Sequence, residues 1–107
     1  MFRQVLLEKL YLGISSDNSS KKTYTYLGTG GSYSGYDEYI VCAGHRHDVS
    51  VYNSITVSNA TYYSIFAISI PVGDRRNTVN AWLVTPSNPS DTVNISISIS
   101  GGVIGVK

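Results

Sequence analysis

Among the 107 residues, the run Gly44-His45-Arg46-His47-Asp48 comes nearest to a chemical site. In an extended strand, residues two apart project from the same face, so His45 and His47 could both offer an imidazole to one metal ion. Two ligands leave a metal half-coordinated. Cys42 and Asp48 have the opposite parity and could join only if the chain turned at Gly44. A threefold arrangement of the chain would instead gather six imidazoles. The simpler expectation is a polar strand edge whose histidines hydrogen-bond or face water.

Catalytic patterns are weaker. His47, Asp48 and Ser50 hold the residue types of a hydrolase triad, but neighbours along one strand cannot take up nucleophile, base and orienter positions, which come from separate parts of a fold. The stretch Gly30 to Gly35 misses a nucleophile elbow because Tyr33 stands where the serine belongs. Gly28-Thr29-Gly30 lacks both the third glycine and the helix that would hold a phosphate. Asp37 and Glu38 are adjacent, face opposite sides of a strand and cannot act as a paired acid and base. The expectation is a protein that is not an enzyme and carries no cofactor, with a metal at His45 and His47 as the one exception to test.

Recognition by contact is better represented. Nine tyrosines occur in the chain, and Tyr24, Tyr26, Tyr33, Tyr36 and Tyr39 crowd one third of it. Exposed aromatics of this kind stack on sugars or anchor protein interfaces, which makes Tyr33, Tyr36 and Tyr39 candidate contacts for a glycan or a protein. The competing expectation is that some of them line a core or form cross-strand pairs. Arg75-Arg76, next to Gly73-Asp74, reads as a solvated hairpin tip.

These residues must be positioned by strands. Val93, Ile95, Ile97 and Ile99 alternate with Asn94, Ser96, Ser98 and Ser100, a period of two that only a strand satisfies. The glycines at 101 and 102 then predict a bulge or bend before Val103, Ile104 and Val106. Asn80 to Thr85 forms another strand, closed by the Pro86 to Asp91 loop. Tyr62 to Pro71 is apolar on both faces, which predicts a central strand covered twice. Val49 to Val57 alternates around a turn near Asn53. Tyr36 to Ala43 and Thr23 to Leu27 supply two more strands, with Gly28 to Gly35 between them read as a mobile loop. At the start of the chain, Phe2, Val5, Leu6 and Leu10 fit a helical stripe, whereas Leu6, Leu10, Leu12 and Ile14 fit a strand broken at Glu8; the strand is preferred because no other segment has helical periodicity. The fold class expected is all-β, an antiparallel sandwich or barrel of seven or eight strands in one domain spanning 1–107.

Composition narrows the function. Charged residues make up 14%, against roughly 25% in an average soluble domain, while 42% are hydrophobic. The remaining surface is Ser, Thr, Asn, Gly and Tyr, a neutral covering suited to contact with other surfaces. A net charge of +1 with scattered basic residues offers no stripe for a phosphate backbone, so nucleic acid is not an expected partner. The single cysteine rules out an internal disulfide. Glu8 and Lys9 interrupt the apolar run that an export signal would need, and the longest apolar stretch is far short of the ~20 residues of a membrane helix. Synthesis in the cytoplasm, without a membrane partner, is the expectation, and the three Asn-x-Ser/Thr triplets at Asn18, Asn59 and Asn94 then carry no glycan.

The Ser/Thr/Asn/Gly/Tyr-rich strands from Thr23 to Gly35 and from Thr92 to Val106 resemble those of small bacteriophage virion proteins, of the capsid decoration, head-fibre or tail-tip kind. The His45-x-His47 pair is similar to the His-x-His found in trimeric phage fibre and spike tips. The resemblance implies a β-sandwich that forms a homo-oligomer, a trimer by preference, and docks on a larger viral assembly in the virion. The absence of a long fibrous repeat favours a compact decoration or adaptor domain over a shaft. A glycan-binding module using the tyrosines of Gly28 to Tyr39, and a small phage-encoded inhibitor of a host protein, are the alternatives.

Overall fold

A computed structural model describes residues 22–45 and 54–107. All regular structure among them is strand: β1 Tyr24–Gly28, β2 Gly31–Tyr33, β3 Glu38–His45, β4 Ile55–Ser58, β5 Ala60–Val72, β6 Arg75–Pro86, β7 Val93–Ile97 and β8 Ser100–Val106. They form two antiparallel sheets, one of five strands in the order β1-β8-β3-β6-β5 and one of three in the order β2-β7-β4. The all-β antiparallel expectation is met. The N-terminal segment, Asn53 and the histidine-rich run beyond His45 lie outside the described residues.

The alternating residues of β7 turn Val93 and Ile95 inward from the small sheet. They meet Tyr39, Val41, Trp82, Val84 and Val103 of the large sheet, and this layer is the sandwich core. The opposite face of the large sheet carries a second buried cluster, with Ile40 and Cys42 of β3, Val79 and Ala81 of β6, and Ile104 and Val106 of β8. The strands buried on both faces are therefore β3, from Tyr39 through Gly44, and β8, from Gly101 through Val106. Sequence pattern had assigned that place to Tyr62 to Pro71, but those residues belong to β5, which lies at the edge of the large sheet and is exposed along most of its length.

Two further expectations are corrected. The alternation from Val93 to Val106 is not one bent strand: it breaks at Ser98 and Ile99, where the chain leaves the small sheet and enters the large one as β8. Ser98 is held there by its amide, which donates to the Ser54 carbonyl at 2.8 Å. Within the glycine-rich stretch, Gly31–Tyr33 forms strand β2, because the backbone of β7 supplies hydrogen-bond partners that the local sequence does not advertise. Another change of sheet, from β4 to β5, takes a single residue. Asn59 adopts φ 65°, a left-handed conformation that asparagine tolerates, and its side chain donates to the Thr92 carbonyl at 3.0 Å.

Strands β5 and β6 form a long hairpin closed by Gly73-Asp74, where Gly73 takes φ 60°. A positive φ confined to the first turn residue is the type II′ pattern, whose twist matches that of the flanking strands. The expected hairpin is found, but its tip is Gly73-Asp74; Arg75 and Arg76 begin β6. Arg76 folds back, with Nε donating to Ser69 Oγ at 2.9 Å.

Candidate functional site

The tyrosines proposed as contacts form a packed cluster. Tyr39 is fully buried, so it cannot touch a glycan or a partner; its place in β3, between β6 and β8, seals it inside the sandwich. Tyr33 and Tyr36 are half-buried and pack on it, with ring centroids 6.1 Å and 5.7 Å from that of Tyr39. The Tyr33 hydroxyl donates to the Thr29 carbonyl, which closes the β1–β2 connection. Burial pushes the Tyr33 phenol above its ordinary pKa, and the neighbouring Tyr26 adds to the rise. Tyr36 lies across Gly105, where a side chain would strike its ring, and Lys107 Nζ sits 5.7 Å from the ring centroid. No flat aromatic platform remains among these three residues. The core role, one of the two expectations for the tyrosines, accounts for the cluster.

His45 ends β3 opposite Thr78 and is half-buried. His47 lies outside the described residues. Because β3 runs straight through Gly44, Cys42 points into the outer cluster, away from the face of His45, and does not join it. Burial pushes the Cys42 thiol up to about 12. Among the described residues no three His, Cys, Asp or Glu side chains gather to hold a metal. Asp37 is exposed, and Glu38 makes a 3.4 Å ion pair with Lys22 at the surface.

The surface that stands out is on β5. Tyr62, Tyr63, Ile65, Phe66, Ile68 and Ile70 are between 39% and 60% exposed, and Val72 is 47% exposed. No charged residue occurs from Ala60 to Val72. Read by parity alone, Tyr63 and Phe66 fall on opposite faces. The pairing with β6 shows otherwise: Tyr63 is opposite Leu83, Ser64 opposite Trp82 and Phe66 opposite Ala81, so Ile65 is an extra residue in a bulge. Partners directly opposite share a face. Leu83, Ala81 and Val79 belong to the outer face of the large sheet, and the bulge therefore puts Tyr63, Phe66, Ile68, Ile70 and Val72 together on that face. Ala67, Ser69 and Pro71 take the other side with Asn80, Thr78 and Arg76.

Strand β5 thus has an apolar face from Tyr63 to Val72 and, from Ser64 to Ser69, a face of small and polar residues. On the polar side, buried Asn80 donates through Nδ2 to Ser64 Oγ at 3.1 Å, fastening β5 to β6. Sequence pattern missed the stripe because one inserted residue reverses every later side chain. Pro71 was the available signal that β5 is an edge, since proline has no amide to give a central ladder.

The outer face of the small sheet differs in kind. Ser32, Thr56, Ser58, Asn94 and Ser96 line a shallow groove of about 270 Å³ there, and Ser32 donates to Asn94 Oδ1 across β2 and β7. This face is neutral and polar and has no aromatic side chain in the groove lining.

No protein-family model, curated protein or solved structure matches the chain.

Proposed function

We propose that the chain is a non-enzymatic structural protein of a virion, of the decoration or adaptor type, which assembles with copies of itself as a trimer and docks on a larger capsid or tail. The observation that carries self-assembly is the exposed, uncharged β5 stripe, from Tyr63 to Val72. Soluble monomers rarely present contiguous apolar patches above a few hundred Å², and larger ones mark interaction surfaces. The neutral Ser/Thr/Asn face of the small sheet suits a second, more polar contact with a larger assembly. The virion setting rests on the texture of the strands from Thr23 to Gly35 and from Thr92 to Val106.

The glycan reading loses its stated platform, since Tyr39 is buried and Tyr33 and Tyr36 are packed on it. Light scattering on the untagged protein, repeated after chelation, tests the assembly. A trimer or larger ring is expected. A mass that falls on chelation would assign the histidine pair a share in holding the copies together, whereas a monomer at all concentrations would overturn the reading and favour the inhibitor.

A further inference from the structure

We infer that the β5 stripe packs side chain against side chain on the same stripes of the other copies, gathered around the threefold axis of the trimer. The inference rests on the self-assembly proposed above and names its contact surface. Three observations carry it.

The first is area. The five side chains of the stripe, Tyr63, Phe66, Ile68, Ile70 and Val72, at 39–60% exposure leave roughly 450–500 Å² of mostly apolar surface per copy, more than half of the ~800 Å² that each partner contributes to a standard stable interface. The second is charge. There is no charged residue from Ala60 to Val72, and the one charge that the register brings to this face is Arg75, opposite Val72 at the hairpin end, so identical stripes meet without like-charge repulsion along Tyr63 to Ile70; interfaces between identical chains are the apolar kind. The third decides how the copies meet. An edge strand can extend a sheet through its backbone, but bulges and prolines are the devices that block such pairing. Strand β5 has both, the bulge at Ile65 and Pro71, which leave only five residues, Phe66 to Ile70, between them. The side-chain face is continuous for twice that length, from Tyr63 to Val72, alongside Val79 and Ala81 of β6, which are already buried, and half-buried Leu83. Side-chain packing is therefore the contact the strand is built for.

The experiment compares the wild type with Ile68→Glu and Ile70→Lys on the stripe and Ser69→Asp on the opposite face of the same strand. Each is measured by light scattering, with circular dichroism to show that the sheets remain. Both stripe variants are expected to fall to monomer mass, about threefold below a trimer, with the spectrum unchanged. Ser69→Asp is expected to keep the wild-type mass, because an aspartate there faces Arg76 and not another copy. A wild-type monomer would overturn the self-assembly reading itself. A wild-type oligomer that survives both stripe substitutions would overturn this inference alone. So would equal dissociation by Ser69→Asp, which would place the contact elsewhere on the strand. Stripe variants that unfold at unchanged oligomer mass would show the stripe covered from within the chain, again against the inference.

Discussion

Strands β3 and β5 both flank β6 and both read as nearly unbroken apolar runs, yet β3 is buried on both faces while β5 is largely exposed. The difference is in their neighbours. Strand β3 has β8 on its other side and the small sheet stacked over it, so Tyr39 and Val41 meet Trp82, Val93 and Val103. Strand β5 has no further strand among the described residues, and its inward face is occupied by small and polar groups such as Ser64, Ala67 and Ser69. An apolar run thus reports that a strand will be covered, without saying whether by its own chain or by another.

Substitution at matched positions is the strongest way to break this contrast. Trp82→Ala, in the core that covers β3, is expected to lower the unfolding free energy by about 3–5 kcal/mol in urea denaturation, through lost burial and the cavity it leaves. Phe66→Ala on β5, measured at a concentration where the protein is dissociated, is expected to change it by about 0.5 kcal/mol or less. Equal costs would mean that β5 is packed within the monomer.

Alkaline pH reaches the same boundary through Cys42. Burial raises its folded-state pKa to about 12 from an ordinary 9.0, so the thiol is neutral in folded and unfolded chains alike below pH 9. Its contribution is fully present there. As pH rises from 9 toward 12, the unfolded chain ionises and the folded chain does not, so stability is expected to fall by roughly 2–4 kcal/mol. Urea midpoints at pH 8 and pH 11 check this, with Cys42→Ala expected to reduce the slope. A thiol that is alkylated rapidly in the native protein at pH 8 would contradict the burial.

Close packing around the tyrosines gives a smaller effect. Gly105→Ala drives a methyl group into the Tyr36 ring and is expected to cost about 1–3 kcal/mol, read as a lowered melting temperature. The smallest expected change is a gain. The Tyr39 hydroxyl is buried with no hydrogen-bond partner among the described residues, the backbone of Tyr36 being the nearby polar group that tempers its pKa. Burial accordingly pushes this phenol above its ordinary pKa. Tyr39→Phe removes the stranded oxygen and is expected to leave stability unchanged or raise it by up to ~1 kcal/mol. A loss above that would show that the hydroxyl is satisfied.

Much of the local structure was legible in residue pattern. The period of two at Val93, Ile95 and Ile97 marked β7, the run from Gly73 to Asn77 marked a hairpin, though its tip was read at Arg75-Arg76, and the Pro86 to Asp91 cluster marked a loop, in which the Ser90 amide donates to Asn88 Oδ1 at 3.2 Å. Each of these depends on side-chain alternation or on backbone preferences that act within a few residues. The candidate surface was legible only in its residue types. That Tyr62 to Pro71 is apolar was plain from the sequence, and so was the low charge of the whole chain.

Position was decided by pairing between distant residues. The bulge at Ile65 exists because β5 and β6 are held in register on both sides of it, and it alone gathers Tyr63 and Phe66 onto one face. The break at Ser98 and Ile99 leaves the alternation intact while moving the chain from one sheet to the other. Tyr39 became core and not contact because β6 and β8 close around β3. Alternation along a strand is a local property of the backbone, so sequence alone determined that this chain builds antiparallel sheets. Which face meets which neighbour is set by contacts between residues far apart in the chain, and only the tertiary structure decided it.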